Sequence, residues 1–146
     1  VRGDEILKTY SVSTSKFGSG FHDGSFLTPL GVHKIKEKIG AGEKQGIVFD
    51  ERVATKKAAK IYTDTTDVAS DVITSRILWL EGLEEKVNRG VPRDSYERYI
   101  YIHGTHEEGL IGKPASMGCV RMKNDDIIQL FNMIHTGTFV IISAKL

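Results

Sequence analysis

Short stretches of alternating apolar and polar residues dominate the chain. From Glu5 to Ser13, Ile6, Tyr10 and Val12 fall in near alternation with polar neighbours, which predicts a half-buried strand. Phe17 to Ser25 breaks any period with three glycines and small polar residues, and reads as a loop. Val32 to Ile39 sets Ile35 and Ile39 against Lys34, Lys36 and Lys38, a second strand. Gly40 to Gly46 is a turn, and Ile47-Val48-Phe49 a short strand. Arg52 to Asp71 is polar and weakly periodic and predicts no element. Val72 to Leu80 and Tyr99 to His103 read as strands. In the second, Ile100 and Ile102 share one face, which leaves His103 on the other with Tyr99 and Tyr101.

One helix follows. Ile127, Leu130, Phe131 and Ile134 stand at i, i+3, i+4 and i+7, a single apolar stripe over about residues 123–135. Asn124 or Asp125 is a candidate cap, Asp125 and Asp126 suit the positive end, and Gly137 is a candidate terminator. Thr138 to Ser143 then closes the chain as a buried strand. The fold class is mainly β, with one packed helix. No repeat, charge block or linker divides the sequence, so one domain is expected over 1–146.

Composition narrows the function classes. Lys plus Arg number 20 and Asp plus Glu 19, a formal charge of +1, which removes the electrostatic footprint of a nucleic-acid or membrane-surface binder. With 40% hydrophobic and 27% charged residues, a disordered chain is excluded. Fifteen glycines beside three prolines point to tight turns and short strands. No apolar run approaches the ~18 residues of a membrane span. The first thirty residues carry no export signal, and a start at Val1 is expected of a mature or trimmed form.

Several familiar chemistries fail on spacing. Gly40-Ala41-Gly42 with Gly46 misses the dinucleotide fingerprint by one residue, and Gly104 with Gly109 lacks the Lys-Ser/Thr of a phosphate loop. Ser116 has Gly118 after it but Pro114 where a nucleophile elbow has glycine. The five histidines, His22, His33, His103, His106 and His135, show no zinc pattern, so no metal is expected. His22, His106 and His135 read as solvent-exposed loop residues.

What remains is His103-Gly104-Thr105 followed, after ten residues, by Ser116-Met117-Gly118-Cys119-Val120-Arg121. Cys119 is the lone cysteine, so it has no internal disulfide partner. A histidine within hydrogen-bond reach takes a thiol's proton and holds the thiolate as an ion pair. Gly118 allows a sharp bend that points its own N–H and that of Cys119 at one oxygen, an oxyanion site. The planar fork of Arg121 suits a substrate carboxylate. Each residue also has an ordinary use: Cys119 as core filler, His103 as a satisfied strand histidine, Arg121 as a surface ion pair.

These two strings resemble the signature of the YkuD-type L,D-transpeptidases, in which His-Gly-Thr precedes Ser-x-Gly-Cys-Ile/Val-Arg-Met. Thr28-Pro29-Leu30-Gly31, Tyr10 to Thr14 and Gly137 to Ile142 resemble further elements of that family, so the likeness runs from about Glu5 to Ser143. One position departs: Met117 stands where the family most often has histidine. The resemblance implies a β-sandwich-like catalytic domain acting on peptidoglycan stem peptides in the periplasm or cell envelope, without cofactor, as a monomer. Cys119 would be the nucleophile, with His103 as base and then acid, and Gly118 and Cys119 N–H groups as oxyanion donors. Ser116 would be a positioning hydroxyl or a turn former. Arg121 would contact substrate, and Gly104 would allow close approach beneath the thiol. The implied product is a 3–3 cross-link. Hydrolysis of the same thioester would instead make an L,D-carboxypeptidase, and a non-catalytic wall-binding domain is a further alternative. Phe17 to Phe26 is a candidate lid.

Overall fold

The computed structural model describes residues 1–144. Among them are strands β1 (Gly31–Ile39), β2 (Ile47–Asp50), β3 (Val53–Ala58), β4 (Ile73–Gly82), β5 (Tyr101–Thr105), β6 (Val120–Met122) and β7 (Phe139–Ile142). One α-helix, α1 (Asn124–Met133), lies between the last two strands, and a short 3-10 turn spans Glu108–Leu110. The mainly β expectation with one packed helix is met.

All seven strands join one hydrogen-bonded sheet whose axis is β4. β5 runs antiparallel along one edge of β4. The other edge is shared: Ile73 and Thr74 pair with β2, and Ile77 to Gly82 pair with β1. The hand-over falls where the register slips between Thr74 and Ile77, and Ser75 there takes φ +66°. Such an irregularity bends a strand, so β2 and β3 part from β1 and β7 and two cores form. Ile35, Leu78, Leu80, Ile102 and Val120 pack beneath Ile127 and Phe131 of α1. Ile47, Phe49, Ile77, Trp79 and Tyr101 pack on the opposite face. Alternation along β4 and β5 divides the residues between these cores. It sends Ile100 and Ile102 toward the helix, as their spacing predicts.

Four local expectations need correction. Glu5 to Ser13 forms no ladder strand: Ile6 is 70% exposed, Tyr10 packs on the helix-side core, and the stretch is tied in by single bridges, Ser13 to Arg121 and Ser15 to Ser116. Ser13 and Ser15 are the buried positions, one residue out of phase with Val12, and Ser13 Oγ donates to Leu110 O at 2.8 Å. The unreadable segment holds β3, whose polar sequence suits a solvent-facing edge strand. β7 is an edge strand rather than a buried one, with Phe139 71% and Ile141 73% exposed. The helix starts after Lys123 without a side-chain cap of its own. Glu108 Oε1 accepts the Asn124 N–H at 2.8 Å instead, and Gly137 lies beyond the helix end in the turn to β7.

Candidate active site

β5 and β6 run parallel, with Ile102 beside Val120 and His103 beside Arg121. Continuing that register backwards sets Cys119 beside Tyr101, whose N–H donates to Cys119 Sγ at 3.4 Å. Paired residues of neighbouring strands share a face, so Tyr101, His103, Cys119 and Arg121 all belong to the face opposite α1. Strand spacing and rise put the Cys119 and His103 backbones about 8 Å apart on the diagonal, a gap that a thiol and an imidazole can bridge.

His103 is buried, and its Nδ1 lies 2.7 Å from Gly104 O. A carbonyl only accepts, so Nδ1 carries the proton and Nε2 presents a bare lone pair. No hydrogen bond among the described residues engages Nε2. Burial holds the His103 pKa below its ordinary value, against the opposing charge of Asp71, so the ring is a neutral base near pH 7. Cys119 is partly exposed, with its sulfur against the aromatic core. Burial pushes the thiol up to about 12; the Tyr101 N–H and the guanidinium groups of Arg121 and Arg98 oppose this, and the charge of Asp71 adds to it. The pair therefore rests as thiol and neutral imidazole rather than as an ion pair.

The turn before the thiol is tied internally. Gly118 takes φ +119°, a conformation that favours glycine, while its missing Cβ would meet only ordinary contacts. Ser116 is fully buried; its Oγ donates to Cys119 O at 2.6 Å and accepts the Gly118 N–H at 3.3 Å. Of the two expected oxyanion donors, the Gly118 N–H thus points at Ser116 in this state.

Three other expectations meet different surroundings. Gly104 does not open space beneath the thiol. A Cβ there would come 2.5 Å from Thr74 O and 2.9 Å from Asn124 Oδ1, so it is glycine because β4 and the helix start press on it. Arg121 is buried; it donates to Ala115 O at 3.2 Å and pairs with Glu107 and, at 3.2 Å, with Asp71. His106 is 5% exposed rather than solvent-facing, its ring set edge-on to Tyr62.

Two parts of the site left no local signal in the sequence. Arg98 donates to Leu27 O at 2.6 Å, Phe21 O at 3.3 Å and Gly20 O at 3.5 Å. It thereby fastens the glycine-rich loop, whose Leu27 O lies against Gly118. Asp71 and Glu107 come from distant segments onto Arg121, and Glu107 also accepts the Val68 N–H at 2.6 Å. Their role rests on a partner far along the chain, which no periodicity reveals.

Comparison with known proteins identifies the family. The L,D-transpeptidase catalytic domain family (YkuD) matches residues 1–142. YbiS of Escherichia coli (strain K12), assigned by name to the L,D-transpeptidases, is 31% identical over 120 residues, 78% of this chain and 36% of its own. YqjB of Bacillus subtilis (strain 168), assigned likewise, is 50% identical over 46 residues, 32% of this chain and 26% of its own. The chain thus spans about a third of the length of the curated relatives it matches. An L,D-transpeptidase from Mycobacterium smegmatis shares the fold at TM-score 0.57 and 19% identity, over 97% of this chain and 51% of that one. L,D-transpeptidase 3 from Mycobacterium tuberculosis, solved with a faropenem-derived adduct, does so at 0.52 and 13%, over 94% and 46%. With the family pattern running from the first residue through β7, the chain belongs to the L,D-transpeptidase catalytic domain family.

Proposed function

We propose that the domain is a cysteine-dependent L,D-transpeptidase acting on peptidoglycan stem peptides. The observation that carries this is His103, held in the Nδ1-protonated tautomer by Gly104 O with Nε2 free, one strand away from the only thiol. Cys119 Sγ attacks the carbonyl of the third stem residue while His103 Nε2 takes the thiol proton. The C–N bond to the terminal D-Ala breaks, and His103 returns the proton to the leaving amine. An acceptor amine then resolves the thioester to give a 3–3 cross-link. Backbone N–H groups of Gly118 and Cys119 are the oxyanion donors, the first once it leaves Ser116. Ser116 shapes the turn, and Arg121, engaged by Glu107 and Asp71, positions β6 beside His103 and contacts substrate through whatever capacity remains. Acyl transfer between a thiol and an amine needs no cofactor, and every group named comes from one chain, so a monomer suffices. The substrate places the domain in the periplasm or cell envelope, and among the described residues no helix is long and apolar enough to cross a membrane.

The test is mass spectrometry of products from a disaccharide-tetrapeptide, comparing the native chain with Cys119→Ala. Expected are cysteine-dependent loss of D-Ala and dimers; product from the variant, or none from either chain, overturns the proposal. Faropenem, which gave an adduct on the mycobacterial relative, is expected to add mass to the native chain and not to Cys119→Ala.

A further inference from the structure

Two backbone groups hold the Cys119 sulfur, and both belong to tyrosines. The Tyr101 N–H donates to Sγ, and the S–H donates to Tyr99 O, each at 3.4 Å. The rings of these two residues gather on Trp79. Tyr101 meets it edge-on at 5.5 Å between ring centroids, Tyr99 lies tilted beside it at 5.7 Å, and Tyr96 stacks on it at 4.1 Å. Tyr99 takes φ +56°, a left-handed backbone that is costly for a bulky side chain and persists only where its surroundings hold it. Its ring is 52% exposed, so burial in the core supplies only part of that hold.

The rest comes from another part of the sheet. The turn between β2 and β3 brings Arg52 onto this cluster. Its guanidinium carbon lies 5.2 Å from the Trp79 ring centroid and 5.0 Å from that of Tyr99, and its Nη1 donates to the Tyr101 hydroxyl at 3.2 Å. A planar cation suits this place, because its face attracts the rings while its edge donates a hydrogen bond. The one ion pair of Arg52 among the described residues is with its exposed chain neighbour Glu51, and a pair of that kind adds little. The aromatic contacts therefore set where Arg52 stands. Resting on the transpeptidase proposal above, we infer that Arg52 is a positioning residue for the nucleophile: one guanidinium clamps the two side chains whose backbones grip the Cys119 sulfur. For attack, the S–H turns from Tyr99 O to His103 Nε2, and the Tyr101 N–H keeps the sulfur in place while it does so. Drift of the sulfur by a fraction of an ångström costs rate and leaves substrate binding intact.

The test is the steady-state release of D-Ala from disaccharide-tetrapeptide by the native chain, Arg52→Ala and Arg52→Lys. Arg52→Ala is expected to lower kcat about tenfold or more with KM within about twofold of native. Arg52→Lys keeps a cation on the rings and a donor for the Tyr101 hydroxyl, and is expected to restore kcat to within about threefold. Native kcat in Arg52→Ala, a loss confined to KM, or a lysine variant as slow as the alanine one overturns the inference and leaves the transpeptidase proposal standing. Tyr101→Phe, which removes only the hydroxyl that Arg52 holds, keeps the test open if Arg52→Ala does not fold. It is expected to lower kcat about threefold and to make Arg52→Lys no slower than native arginine in the same background; a native kcat in Tyr101→Phe overturns the inference as well. No D-Ala release from the native chain overturns the transpeptidase proposal and this one with it.

Discussion

On the helix side of β5, Asn124 is buried at the centre of a polar cluster in which every side-chain valence is used. Its Oδ1 accepts from Thr74 Oγ1 at 2.6 Å and Ser75 Oγ at 2.5 Å, and its Nδ2 donates to Thr105 O at 2.9 Å and Glu108 Oε1 at 2.7 Å. On the other face, His103 uses one ring nitrogen and leaves the second free, and Cys119 keeps only long contacts of 3.4 Å. Both centres are polar and set into a sheet of largely apolar neighbours. The difference is in what remains unmatched. A saturated cluster locks strand to helix and has nothing left for a ligand, whereas the unsaturated one keeps a lone pair and a proton for a reacting molecule.

Perturbing the two faces therefore has different consequences. His103→Ala is expected to lower the acylation rate on the order of 10²–10⁴-fold. Burial holds the His103 pKa below its ordinary value, and the neutral ring is the active form. The native rate should therefore stay level through neutral pH and fall only on acidification below about pH 6.5. An acid limb unchanged in the variant would remove His103 from the base role.

The thiol provides the next measure. With Cys119 pushed up to about 12, iodoacetamide should label the native chain at pH 8 at least about a hundredfold more slowly than the urea-unfolded chain, whose thiol titrates near 8.5. Labelling of the folded chain should quicken as pH rises toward 10. Rapid labelling at pH 7 would mean that thiolate and imidazolium are already formed.

Changes on the saturated face should appear as stability. Asn124→Leu removes the acceptor of two buried hydroxyls and the donor to the Thr105 carbonyl, and should cost about 3 kcal/mol or more in urea unfolding. Gly104→Ala forces a methyl to within 2.5 Å of Thr74 O and should cost about 1–3 kcal/mol. A neutral result at Gly104 would mean that β4 yields there more easily than its burial indicates.

Much of this arrangement was legible along the chain, and the limits have physical causes. β1, β2, β4, β5 and α1 follow from local alternation, short apolar runs or a helical stripe, because each sets its apolar residues against a continuous core. That His103 and Cys119 come onto one face of neighbouring strands was legible from motif and spacing. Glu5 to Ser13 misled because its one buried residue, Ser13, is a serine satisfied by the distant Leu110 O, and such a serine looks solvent-facing in a sequence. Gly104 and Arg121 were misplaced for a related reason. The neighbours that define them, Thr74 and Asn124 for one and Asp71 and Glu107 for the other, lie 14 to 50 residues away. His106 carries an ordinary loop sequence, yet the fold buries it with its ring edge-on to Tyr62.

The parallel pairing of β5 with β6 has a consequence for how the chain can be divided. Parallel neighbours cannot be joined by a tight hairpin, so residues 106–119 must leave the end of one strand and return to the start of the other. His103 and Cys119 therefore stand at opposite ends of that excursion, and its exposed crest is Gly112-Lys113-Pro114. A chain severed at the crest would keep both reactive groups intact but on separate fragments. Its chemistry would then become second order, rising with the concentration of the two pieces until they assemble as fully as the uncut chain does by itself.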